Sequence, residues 1–169
     1  KWTKLKHLVE QRIASSIRPR FAINSAAYGA CSCGHAWITL DKKVVAIFAP
    51  EHFGTFLECL ISQQKVGIKD PDLTNGIASA NSDELTNYGE LSRQDAYQAC
   101  WEFVHDLTIE QALNSEDPLI QTLAVIDKRI GKKRLKEIEA ENLHPLAQKL
   151  FLERCIAENI ETKLKEKYE

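Results

Sequence analysis

The chain has 169 residues and a mass of 19.2 kDa, of which 44% are hydrophobic and 27% charged, for a net charge of −2. That composition excludes a disordered, collagenous or mucin-like chain, and a length of this order buries roughly 70% of the unfolded surface without help from metals or disulfides. No apolar run approaches the ~18 residues of a membrane span, and the start lacks the apolar stretch of a signal peptide, so a soluble cytoplasmic protein is expected.

The sequence holds no methionine, which implies an initiator Met removed or omitted before Lys1. Cys31, Cys33, Cys59, Cys100 and Cys155 make an odd total of five. Apart from the first two they fall in helix-like segments, the pattern of reduced thiols rather than a disulfide framework.

Residues 2–17 read as an amphipathic helix. Trp2, Leu5, Leu8 or Val9, Ile13 and Ile17 take one face and Lys4, Lys6, Glu10 and Arg12 the other, until Pro19. From Arg20 the period becomes two: Phe21, Ile23 and Ser25 alternate with Ala22, Asn24 and Ala26. After a small-residue loop, Trp37 and Thr39 alternate with Ile38 and Leu40, and residues 44–49 form a third strand beyond a Lys42–Lys43 turn. Three strands with such short loops predict an antiparallel meander with the N-terminal helix as its cover.

Pro50 and Glu51 open a second helix with Phe53, Phe56, Leu57, Leu60 and Ile61 inward. Residues 69–91 lack any period, which marks a functional or mobile loop. The rest is helical: Ser92 caps a helix to about His105, and Thr108 caps a short one to Leu113. Asp117–Pro118 starts a helix through Ile130 stopped by Gly131, a short turn covers 132–139, and Pro145 opens the last helix with Leu146, Leu150, Phe151, Ile156 and Ile160 apolar. The expected fold is α+β in a single domain: helix, three-stranded antiparallel sheet and helix (1–67), an acidic loop (68–91) and a helical half (92–169).

Charge is distributed unevenly. Residues 1–65 carry nine Lys/Arg against four Asp/Glu, whereas residues 66–91 carry only Lys69 against Asp70, Asp72, Asp83, Glu84 and Glu90. An acidic loop of that kind suits a basic protein partner, with Tyr88 as an aromatic anchor. A basic run from Lys128 to Lys136 could contact phosphates. Acidic neighbours, a helix end that attracts cations and a pI near 6.3 weigh against nucleic acid.

Cys31, Cys33 and His35 form the one constellation of metal-ligand residue types, at Cys-x-Cys-x-His spacing without the second pair that a zinc site wants. His52 with Cys59 and Cys100 with His105 are the candidate nucleophile–base pairs, and both lack a glycine-rich elbow. The absence of P-loop, dinucleotide and zincin signatures leaves no cofactor expected and a non-enzymatic role favoured.

Two stretches carry a resemblance. One is Trp2-Thr3-Lys4-Leu5-Lys6-x-Leu8-Val9-Glu10-x-Arg12, with Ala36-Trp37-Ile38-Thr39-Leu40-Asp41. The other runs from Pro118 to Leu135 through Asp127-x-Arg129-Ile130-Gly131-Lys132-x-Arg134-Leu135, followed by His144-Pro145-Leu146 and Leu152-x-Arg154-Cys155-x-Ala157-Glu158. Together they resemble a family of short, mostly uncharacterised bacterial proteins, of the kind that accompany toxin genes as immunity proteins. The resemblance implies an inhibitor that binds a basic toxin domain, such as a nuclease, and an Asp127, Arg129 and Arg134 network that locks one helix to the next. The Cys31–His35 loop departs from the family pattern, which argues against an essential metal there.

Overall fold

A computed structural model describes residues 1–27, 34–48, 91–162 and 164. In chain order the elements are helix α1 (Trp2–Arg12), strands β1 (Phe21–Ala27), β2 (Gly34–Leu40) and β3 (Lys43–Phe48), and helices α2 (Arg93–His105), α3 (Ile109–Leu113) and α4 (Pro118–Val125). Helix α5 (Lys132–Leu135), a 3-10 turn at Ala140–Asn142 and helix α6 (Pro145–Ala157) complete them. The fold is α+β, with the N-terminal helix, the three-stranded antiparallel sheet and the C-terminal helices expected from the sequence. The second helix expected after Pro50 lies outside the described residues. None of the described helices is long and apolar enough to cross a membrane.

The chain gathers into two compact units, Lys1–Arg20 with Gln98–Glu169 and Phe21–Tyr97. In the second unit the strands run in the order β1-β2-β3. Ile23 pairs with Ile38 and Ile38 with Ala46, while Trp37 lies between Asn24 and Ile47 on the opposite face. The alternation read from the sequence therefore holds, and every residue from His35 to Leu40 in the central strand is buried. Consecutive residues Ile38 and Thr39 pair with Ala46 and Val44, so Val45 is the extra residue of a bulge.

Asp41 and Lys42 form the two-residue turn between β2 and β3, one position earlier than the expected Lys42–Lys43. Both have positive φ, 52° and 65°. A two-residue hairpin favours that geometry because it matches strand twist, and Asp is tolerated there better than Lys.

In the first unit the starts of α3, α4 and α6 are set by local chemistry. Thr108 Oγ1 accepts the Gln111 amide and Gln111 returns a side-chain acceptor to the Thr108 amide. Asp117 accepts from Leu119 and Ile120 ahead of Pro118, and His144 Nδ1 accepts from Leu146 ahead of Pro145. Ser92 and Asp95 exchange a comparable reciprocal pair at the head of α2.

Helix ends depart from the sequence reading. Helix α1 stops at Arg12 rather than Ile17, and α4 stops at Val125 rather than Ile130. The reason is a backbone exchange between these distant segments: Ala14 N donates to Ile126 O at 2.8 Å and Lys128 N to Arg12 O at 2.8 Å, which bridges Ile13 to Asp127. Gly131 consequently begins α5 instead of closing α4. Helix α6 ends in a Schellman motif, with Asn159 left-handed at φ 55° and Ile160 N donating to Cys155 O at 2.8 Å. Its Ile156, expected in the core, is 46% exposed.

Replacement of Lys42 by Gly removes the left-handed strain of a side-chain-bearing residue, and should stabilise the protein by about 1 kcal/mol. Urea unfolding of Lys42→Gly beside the parent checks it; an unchanged or lowered midpoint contradicts the turn geometry.

Candidate functional site

The first unit brings its unusual chemistry to the link between α4 and α5. Asp127 is fully buried and accepts the Arg129 backbone amide at 2.7 Å. Its carboxylate also takes the Arg129 guanidinium from Nε at 3.1 and 3.0 Å and from Nη2 at 2.7 Å. The two-residue spacing suits this arrangement, because the Asp side chain holds the amide of a turn while the Arg side chain folds back onto it.

Arg154 is also buried, at 2% exposure. Its Nη1 donates to the carbonyls of Val125 (3.0 Å) and Asp127 (2.8 Å), its Nη2 to Ile130 (2.5 Å) and its Nε to Glu158 Oε1 (2.9 Å). Ser16 Oγ donates to the same Glu158 oxygen at 2.8 Å. Burial alone pushes the Glu158 carboxyl up; the bonds from Arg154 and Ser16 outweigh that and hold it below the ordinary range. Arg12 and Arg129 each lie 5.8 Å from the centre of the Phe103 ring, and Arg12 Nη2 donates to Val104 O at 2.6 Å.

Arg134 lies apart from Asp127 and Arg129, in an ion pair with Glu110 of α3. That pair flanks an open cleft of about 1120 Å³. Gln121 holds its walls: its Nε2 donates to the carbonyls of Leu113 (3.3 Å) and Ser115 (3.4 Å), and its Oε1 accepts from the His144 amide at 2.7 Å. Leu113, Ile138 and Leu143 are half-buried in the lining, and exposed Glu116, Lys133, Glu137 and Glu139 stand around them.

Asp70, Asp72, Asp83, Glu84, Tyr88 and Glu90 lie outside the described residues, as do Cys31, Cys33, His52 and Cys59. His35 is described: it is 1% exposed, stacked on Trp37 with ring centres 4.5 Å apart, and held by burial at a pKa of about 4. Burial first, with Asp117 adding, pushes the Cys100 thiol up to about 12. Burial likewise drives Cys155 up to about 11, against the opposing field of Arg154. Both thiols stay protonated at neutral pH and make poor nucleophiles. Among the described residues no group of three or more His, Cys, Asp or Glu is arranged to hold a metal.

The Arg154 hub and the Glu110–Arg134 pair were absent from the residue-level reading of function. Arg154 had one visible signal: it sits between Leu150, Phe151 and Cys155 on the buried stripe of α6, where a cation requires a dedicated partner set.

A family model described as the SF0329 protein family matches residues 1–155. No curated protein and no solved structure matches the chain.

Two predictions follow from these buried groups. Arg154→Met preserves bulk but leaves three carbonyls and Glu158 without their donor, and should cost about 3–5 kcal/mol in denaturant unfolding; a loss below about 1 kcal/mol would show that water replaces the guanidinium. His35 is neutral in the folded chain down to about pH 4, whereas the unfolded chain gains that proton near 6.5. Its contribution is therefore complete above pH 6.5 and is lost as pH falls toward 4. The stability of the parent relative to His35→Phe should fall by roughly 2 kcal/mol between pH 7 and 4.5. A gap that stays constant with pH contradicts the burial of this ring.

Proposed function

We propose that this chain, which belongs to the SF0329 protein family, acts by binding another protein, as an immunity- or antitoxin-like inhibitor of a basic bacterial toxin domain. The observation that carries the reading is the concentration of charge in residues 66–91, five carboxylates against one lysine. Asp70, Asp72, Asp83, Glu84 and Glu90 would meet the cations with which a nuclease-type toxin holds its substrate, and Tyr88 would supply the anchor. Inhibition then needs occupancy of the substrate groove and no bond chemistry on the inhibitor's side.

Among the described thiols neither Cys100 nor Cys155 suits a nucleophilic role, while the thiol-dependent alternative at Cys31 and Cys33 lies outside the described residues. Burial suppresses ionisation of Cys100 and Cys155, and His35 is locked against Trp37. The nucleic-acid alternative rests on the basic run from Lys128 to Lys136. Two of its cations are already engaged, Arg129 by Asp127 and Arg134 by Glu110, and Lys132 Nζ donates to Glu158 O at 3.2 Å. What remains is Lys128, Lys133 and Lys136, a small footprint for phosphate binding.

Affinity purification from the producing cells, with mass spectrometry of the bound fraction, should recover a basic toxin domain in stoichiometric amount. Reversal of Asp83 and Glu84 to Lys should then slow association with that domain about tenfold or more in low salt, with a smaller effect in high salt. An unchanged association rate in low salt removes the acidic stretch from the mechanism, and salt-sensitive retention on heparin with no protein partner favours the nucleic-acid reading.

A further inference from the structure

We infer that the cleft between α3, α5 and the 3-10 turn is a second docking site on this chain, one that takes a short basic segment of a protein partner with an apolar residue at its centre. The inference rests on the proposed basic partner and concerns a separate set of residues from 69–91.

The cleft is preformed. One side chain, Gln121, ties the chain at Leu113 and Ser115 to the chain at His144, so two stretches of backbone around the opening are held to α4 by a single amide. The Glu110–Arg134 pair ties α3 to α5 beside it. A site built this way spends little ordering entropy when a ligand enters.

Its charge selects the ligand. Arg129 is neutralised by buried Asp127, and Arg134 by Glu110. With those pairs set aside, the lining retains Glu116, Glu137 and Glu139 against Lys133 alone, three carboxylates to one ammonium. Glu139 is further oriented by Asn142 Nδ2, which donates to it at 2.9 Å. A cationic segment gains from this field and an anionic one is repelled. The half-buried Leu113, Ile138 and Leu143 offer apolar area for one aliphatic side chain between the charges, so the occupant is amphipathic rather than a simple cation.

The test uses fluorescence anisotropy with the full chain in low salt and a labelled hexapeptide, Lys-Arg-Leu-Leu-Arg-Lys. Saturable binding is expected, at least tenfold weaker for the same peptide with both leucines replaced by serine and absent for Glu-Asp-Leu-Leu-Asp-Glu. The variant Glu116→Gln/Glu137→Gln/Glu139→Gln should weaken binding about tenfold. Lys133→Glu should tighten it, an outcome that loss of folding cannot imitate. Equal affinity of the triple variant and the parent, equal binding of the acidic peptide, or no saturable binding of the basic peptide each overturns the cleft assignment. Peptide binding that responds to Asp83→Lys/Glu84→Lys and ignores the cleft variants overturns it while the basic-partner reading stands. Recovery of no basic protein in the purification described above overturns that broader reading instead.

Discussion

A single buried guanidinium sets where the helical unit can turn. Helix α4 ends inside the protein, with Val125 and Ile126 fully buried, so water cannot satisfy its last carbonyls. Arg154 does so from the neighbouring helix, with donors reaching Val125, Asp127 and Ile130. A lysine in its place has three donors on one point and lacks the planar fork that spreads over three carbonyls and a carboxylate. The positive charge is also favoured there by the negative end of α4, and Glu158 balances it on the far side.

Freeing residues 126–130 from the helix has consequences along the chain. The exchange that draws them out, Ala14 N to Ile126 O and Lys128 N to Arg12 O, brings the segment after α1 against this loop. Arg12 and Arg129 then both reach Phe103, where burial and their mutual repulsion disfavour the Arg12 charge and Asp127 offsets part of this. Gly131 can begin α5 at once, which puts Arg134 within reach of Glu110 and gives the cleft one of its walls. Geometry at the cleft thus depends on contacts that Arg154 makes with the same loop.

The features legible in the sequence are those determined within a few residues. Thr108 with Gln111, Asp117 with Pro118 and His144 with Pro145 announce helix starts through side chains that bond amides two or three positions away. Strand alternation at Phe21–Asn24 and Trp37–Leu40 needs only the period of the pleat. Where the reading fell short, a distant partner made the decision. The apolar spacing of residues 118–130 continues past Val125, yet the chain leaves the helix because Arg12 and Ala14, more than a hundred residues earlier in the sequence, take its backbone groups. Ile156 fits the apolar period of the last helix but falls beyond the buried stripe defined by Leu150, Phe151, Arg154 and Cys155. For the candidate site, the Asp127–Arg129 contact is local and could be anticipated, whereas the Glu110–Arg134 pair joins two helices whose approach depends on the loop between them.

Polar chemistry in the described parts of this chain divides by depth. Groups that reach the interior are committed to shape: Asp127 and Arg154 hold a loop, His35 packs as an uncharged ring, and Cys100 and Cys155 are held as thiols. A base driven to a pKa near 4 or a thiol driven above 10 is removed from acid–base and nucleophilic work near neutrality. The charge left for other molecules is at the surface, and the backbone walls of the cleft that carries part of it are tied by Gln121. The proposed binding of a cationic partner would work through field and fit, and requires the frame to move little when the partner arrives.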